Sequence, residues 1–290
     1  SDLHNAVEKY FHEIYVTGRP GKPLSFKLLA KNKAVLDLEI VASPMRDPSG
    51  AVIGFRAVGR DVGERKRLER DLLESYKNVK TARAATILGL AKLAEYRDED
   101  TGAHLERICE YARIITQELA TKPKYRDYIT SEYIEDIYIS AILHDIGKVG
   151  VPDAILRKPG KLTKEEFDII KTHSSLGGNA LRDIEKKIEG QTFLTLSKEI
   201  AYYHHEKWNG SGYPKGLRGE AIPLSARIVA LADVYDALTS KRVYKDAFSH
   251  QKAVEIILSD RGSHFDPDVV DAFMAHNGHF RRIREELLGT

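Results

Sequence analysis

A chain of 290 residues with 42% apolar content is long enough for two domains and a linker, each with an ordinary globular core. Its single cysteine excludes a disulfide framework, and no apolar run has the length of a membrane span or signal segment, so the sequence reads as cytoplasmic. A net charge of +2 leaves the class of partner open.

The chain opens with a helical run, Leu3 to Val16, followed by strand-like segments at Phe26 to Leu29, Val35 to Met45 and Ala51 to Val62, separated by Gly, Pro, Asn and Asp turns. Residues 1–63 therefore form a small α+β segment. From Glu64 to Lys92 the composition becomes charged and poor in glycine. Leu68, Leu72, Val79, Ala82 and Leu93 follow three- and four-residue steps, diluted by Ser75, Thr86 and Gly89. Residues 64–92 read as a signalling linker that pairs with a second copy in a homodimer. The competing reading is a single amphipathic helix lying on its own chain.

Residues 93–290 read as helices with histidines and aspartates at their ends. His104 opens a helix after the Asp100 to Gly102 break and stands at an exposed start that looks into a cleft; Cys109, in the following run, reads as a small core residue. His144 and Asp145 end an apolar helical run. Lys148 follows three residues later, where Gly147 and Gly150 stop the helix. Thr163 and Glu166 have capping-box spacing, and His173 lies on the apolar edge of the helix they start. His204 and His205 end another apolar run. In the loop after them, Asn209 to Gly212 permits positive φ and Pro214 stiffens the exit, so Trp208 and Tyr213 are presented from a turn, either to line a purine pocket or to pack the loop.

Asp233 interrupts the apolar run Ile228 to Tyr235, where an uncompensated carboxylate is costly and a metal ion removes the penalty. Asp236, one turn on, is expected to hydrogen-bond a neighbouring helix. Arg242 and Lys245 stand three apart beyond it. Asp266 and Pro267 form an N-cap and N1 pair for the terminal helix.

A lone histidine on an apolar face is more often a hydrogen-bonded core residue than a ligand, and His4, His12, His250, His264, His276 and His279 keep that ordinary reading. The remaining set of imidazoles and carboxylates suits divalent transition metals and phosphate-ester hydrolysis. Asp145 has two oxygens with which to bridge two ions, His104 and His144 serving one side and His173, His204 and His205 the other, with Asp233 completing a shell. Ions about 3.5–4 Å apart lower the pKa of a shared water and clamp both oxygens of an in-line displacement, so no Ser or Cys nucleophile is required.

His104, the pair His144 and Asp145 with Lys148, then His173, His204, His205 and Asp233, together with Gly212-Tyr213-Pro214, resemble the HD-GYP phosphodiesterases, a branch of the HD superfamily. The resemblance covers residues 85 to about 280. It implies a mostly α fold, an all-helical HD-type bundle preceded by a linker helix and the small α+β segment. It also implies two or three iron or manganese ions, and cyclic di-GMP as the substrate, degraded to pGpG or GMP. By the same resemblance Lys148 stabilises or protonates the leaving O3′ oxygen, Asp98 lies close to the scissile phosphate, Arg242 and Lys245 hold substrate phosphate, and Gly212, Tyr213 and Pro214 border the substrate.

Asp100 departs from the pattern. It stands four residues before His104, where three-metal members have Glu; it is either a ligand of a third ion or a helix-end carboxylate. Pro44 to Gly50 and Gly59 to Lys66 resemble the C-terminal half of a PAS sensory domain, with a small β-hairpin module as the alternative. No nucleic-acid polymer or membrane is expected as a partner of this fragment. Two alternatives to cyclic di-GMP hydrolysis stay open: hydrolysis of another cyclic dinucleotide such as cyclic GMP-AMP, and a catalytically silent metal-bound receptor.

Overall fold

The computed structural model describes residues 2–31, 33–95, 103–188, 193–240 and 247–288, which fall into two units, Ser1–Ala82 and Arg83–Thr290. In the first unit, helix α1 (Asp2–Thr17) precedes an antiparallel sheet of β1 (Leu24–Leu29), β2 (Val35–Arg46) and β3 (Val52–Asp61), in that spatial order. Each strand lies within two residues of the boundaries expected from hydrophobic alternation. Phe26 faces Leu38 and Ile40 faces Gly59, and the turn between β2 and β3 is closed by Asp47, whose carboxylate accepts from the backbone N–H groups of Ser49 and Ala51. Helix α1 docks on β2 through Ile14 and the Tyr10 hydroxyl, which accepts the Ala42 N–H at 2.9 Å.

Helix α2 (Gly63–Glu95) follows β3 and extends past Lys92, where the linker was expected to end. Leu68, Leu72, Val79 and Leu93 are all exposed along it.

The regular elements described in the second unit are helices, with an isolated bridge between Arg261 and Phe265. The unit contains α3 (His104–Thr121), α4 (Ser131–Ser140), α5 (Asp153–Leu156), α6 (Lys164–Glu185), α7 (Phe193–Tyr203), α8 (Leu224–Thr239), α9 (His250–Ser259) and α10 (Pro267–Leu288). Helix α8 is apolar on nearly every side and occupies the centre, packed on α3, α7, α9 and α10, as a helix without a polar face must. Ile108, Ile115, Ile228, Leu231 and Phe273 are fully buried there. Tyr111 lies flat on Phe280 at 4.4 Å between ring centroids and meets Tyr235 edge-on at 5.2 Å, geometries that favour aromatic attraction. Cys109 is buried in this core. Among the described residues, no helix is long and apolar enough to cross a membrane.

Two local features position the site. The apolar run before His144 does not stay α-helical: α4 ends at Ser140, Ala141–Leu143 tightens into a 3-10 turn, and a second 3-10 stretch covers Ile146–Gly150. His144 and Asp145 sit at this break, where the side-chain direction changes over a short distance. The second stretch lies directly on α6. A Cβ on Gly147 would stand 2.0 Å from the His173 carbonyl oxygen and 2.5 Å from the Gly177 nitrogen, so only glycine permits that approach.

Candidate metal centre

Four elements deliver the histidines. His104 is the first residue of α3, His144 follows the 3-10 turn after α4, His173 lies mid-α6 and His204 and His205 follow α7. The start of α6 is fixed by the expected capping box: the Thr163 hydroxyl accepts the Glu166 N–H and the Glu166 carboxylate accepts the Thr163 N–H. His104 is not at an exposed helix start, as its position after a glycine break suggested. It keeps only 3% exposure, because Asp236 on α8 draws its ring inward.

Asp145 is the hub. Its Oδ2 lies 3.3 Å from His144 Nε2 and 2.8 Å from Lys148 Nζ, while its Oδ1 lies 3.2 Å from His173 Nε2 and 3.6 Å from His204 Nε2. Ligand atoms of Asp145, His173, His204 and His205 all lie within 4.8 Å of one another, and so do those of Glu95, His104 and His144. Asp233 reaches the second group, with Oδ1 at 3.9 Å from His104 Nε2.

The protonation pattern suits a cation. The Nδ1 atoms of His144, His173 and His204 face the carbonyl oxygens of Ala141, Ile170 and Ile200 at 2.9, 2.7 and 2.9 Å, contacts that require Nδ1–H. Their Nε2 lone pairs are thereby turned toward the carboxylate of Asp145. Acceptor then faces acceptor in a buried place: Asp145 Oδ1, beside His173 and His204 Nε2, is enclosed without a hydrogen-bond partner. A divalent ion held by these groups would resolve that conflict, and the backbone carbonyls fix each ring as such partners do in metal sites. The donor set fits a transition metal.

The charges of the site agree with this reading. Burial lowers the pKa of His204, and burial with the neighbouring His204 holds His205 well below the usual range, so both are neutral donors. Burial also opposes protonation of His144, but the charge of Asp145 outweighs it and raises His144 to about 10; the site draws a cation to this position, and a metal ion can take the proton's place. Burial raises the pKa of Asp145, yet Lys148 and His144 together hold its carboxyl well below the usual carboxylate range.

Asp236 bonds the neighbouring helix as expected, and to more effect than the sequence indicated. It accepts from Arg107 Nε at 2.6 Å and NH2 at 2.8 Å and holds His104 Nδ1 at 2.7 Å, leaving His104 Nε2 directed at Glu95 and Asp233. Desolvation works against this carboxylate, but the Arg107 and His104 bonds bring it down to about 2. Arg107 and Glu95 were missed in the sequence. The i, i+3 spacing of His104 and Arg107 was a usable signal for the first; nothing in the sequence placed the second.

The loop after His205 is held by a third missed residue. Glu206, buried to 2% exposure, accepts the backbone N–H of Lys215 at 2.7 Å and of Leu217 at 3.0 Å. Gly212 crosses the backbone so closely that a Cβ would meet the Lys207 nitrogen at 2.4 Å. The Tyr213–Pro214 bond is cis, and the Tyr213 ring lies 4.7 Å from that of His205. Tyr213 therefore borders the centre. Trp208 packs the loop instead: its backbone N–H donates to the His264 carbonyl and its indole lies under Arg227. Asp98, Asp100, Arg242 and Lys245 lie outside the described residues. A cavity of about 790 Å³ between α3, α4 and α10 has none of the candidate ligands in its lining.

The family model for the HD domain matches residues 67–269. A cyclic di-GMP phosphodiesterase of Vibrio cholerae is 55% identical over 206 residues, covering 71% of this chain and 42% of that protein. The cyclic di-GMP phosphodiesterase response regulator RpfG of Xanthomonas campestris is 40% identical over 216 residues, covering 74% of this chain and 54% of its own. A 3'3'-cGAMP-specific phosphodiesterase 2 of Vibrio cholerae is 33% identical over 298 residues, covering 95% of this chain and 54% of that one. The chain spans about half the length of these curated relatives.

Proposed function

The chain belongs to the HD domain family, and from that premise we propose that it hydrolyses cyclic di-GMP to pGpG, with GMP as the product of a second cleavage. The observation that carries the reading is Asp145, whose two carboxylate oxygens each face a different histidine group. In this reading Asp145 would be shared by two ions, His173, His204 and His205 would hold one iron or manganese ion, and His104, His144 and Asp233 would hold the other. Such ions supply Lewis acidity toward the phosphoryl oxygens and bring the pKa of bound water near neutrality. The choice of cyclic di-GMP over a mixed cyclic dinucleotide rests on the names and identities of the relatives at 55% and 40%.

The chain's own residues divide the remaining work. Lys148, with Nζ 2.8 Å from Asp145 Oδ2, is placed to give a proton to the leaving O3′ oxygen. Tyr213, supported by Gly212 and Pro214, offers a ring face beside His205 on which a purine can lie. Arg242 and Lys245 supply cations for substrate phosphate, Asp98 orders groups near the scissile phosphate, and Asp100 is the candidate for a third ion. Residues 1–63 act as a partial PAS-like sensory domain, 64–92 as a linker pairing with a second copy in the cytoplasm, and 93–290 as the hydrolase. The exposed row Leu68, Leu72 and Val79 supports the pairing.

Elemental analysis of Asp145→Ala tests the bridge. Purified protein reconstituted anaerobically should carry at least two metal equivalents per chain, and the variant should lose both together with hydrolysis. Full occupancy in the variant would show that Asp145 is not shared.

A further inference from the structure

Glu95 stands outside the ligand set expected from the sequence, which reaches no further than Asp100 on the N-terminal side of His104. It is the last residue of α2. In that last turn Ala91 and Ala94 are buried while Leu90 and Leu93 are exposed, so the inner face of the turn carries Ala91, Ala94 and Glu95 at i, i+3 and i+4. The Glu95 side chain keeps 14% exposure and places Oε1 3.9 Å from His104 Nε2. That distance is too long for a hydrogen bond. Yet one ligand atom each from Glu95, His104 and His144 fits within 4.8 Å. Both imidazoles are already engaged at Nδ1, by Asp236 and by the Ala141 carbonyl, so both present Nε2 to the space that Glu95 also faces. A simple ion pair between Glu95 and His104 would leave the buried His144 Nε2 facing only Asp145 Oδ2, at 3.3 Å. A single divalent ion engages all three groups.

We propose that Glu95 is a ligand of the ion held by His104 and His144, so that the last turn of α2 is a structural part of the metal centre. The proposal rests on the metal-centre reading above. It adds a consequence that the histidines alone do not have. A shift of α2 by one turn, about 5.4 Å, would carry the carboxylate out of the group. Occupancy of this ion and the position of the helix end are therefore linked, and by reciprocity the ion must stabilise the helix end as much as the helix end stabilises the ion.

The test uses the whole chain, stripped of metal and titrated anaerobically with Mn²⁺, read by electron paramagnetic resonance and by amide hydrogen exchange. Glu95→Gln preserves shape and removes the charge; thermal melting of the metal-free proteins checks that the fold is retained. Wild type should bind at least two equivalents. Glu95→Gln should keep the equivalent held by Asp145, His173, His204 and His205 and bind the other at least about tenfold more weakly, since even outer-shell changes cost that much. Mn²⁺ should slow exchange over residues 85–95 in wild type and leave it unchanged in Glu95→Gln. Identical titrations for the two proteins, or an equivalent lost in Asp100→Ala and not in Glu95→Gln, would overturn the proposal while the metal centre stands. If the variant does not fold, wild-type exchange over 85–95 that ignores Mn²⁺ overturns it equally. A wild type that binds no Mn²⁺ would overturn the metal centre as well.

Discussion

Lys148 and Asp145 stand 2.8 Å apart at the edge of the histidine groups, and the role of the lysine separates chemistry from binding. Lys148→Ala should slow turnover by about 10²-fold, the usual worth of a positioned proton donor, with a much smaller effect on cyclic di-GMP affinity. Equal losses in both, measured by single-turnover kinetics and equilibrium binding, would make it an anchor. His264 provides a pH dependence. Burial, assisted by the charge of Lys207, lowers its pKa to about 4, and its ring is stacked 4.3 Å from Phe265. A folded pKa below the unfolded value of about 6.5 means that the unfolded chain takes up the proton first. Stability from this group is complete above pH 6.5 and is lost as pH falls through 6.5 toward 4, by up to about 3 kcal/mol. Wild type should lose stability relative to His264→Phe as pH falls through that window, while their denaturant midpoints differ by a constant above it; parallel curves throughout would contradict the assignment. Residues of these types were legible because an imidazole or carboxylate in an apolar run demands a partner. Glu95 was not, because its relation to His104 depends on the path of the chain between them and on which side of α2 turns inward.

The 3-10 stretch Ile146–Gly150 on α6 is the joint that brings Asp145 to His173, and it depends on a glycine. Gly147→Ala forces a Cβ to within 2.0 Å of a backbone oxygen, which flexible side chains cannot relieve. It should cost at least about 2 kcal/mol in unfolding free energy and weaken metal binding, because α6 carries His173. Gly89→Ala is the contrast: this glycine lies within α2 with open space around its Cβ position, so the change should stabilise by about 0.5–1 kcal/mol. Equal effects at both positions would dissociate the close packing from the site. The helices themselves were readable from caps and periodicity, as with Thr163 and Glu166 on α6. The tightening of the run before His144 was not, because nothing local distinguishes a 3-10 turn from the end of an α-helix; the packing of the whole bundle decides it. The loop with Gly212 was legible as a loop, whereas the buried Glu206 that holds it looked like one more charged residue beside two histidines.

The molecule joins a small α+β unit and a helical unit through α2, which begins after β3 and ends at the ion-binding groups. The central apolar α8 and the convergence of residues from the ends of α4 and α7 and the middle of α6 on Asp145 suit a buried metal centre. A receptor would need the binding surface without an activated water, and it would show the same ligands as a hydrolase. The discriminating measurement is product analysis of cyclic di-GMP incubated anaerobically with the metal-loaded chain. The account predicts conversion to pGpG, with GMP accumulating later, and no conversion by Asp145→Ala. Cyclic di-GMP recovered intact after long incubation with fully metallated protein that demonstrably binds it would contradict the account and leave a receptor in its place.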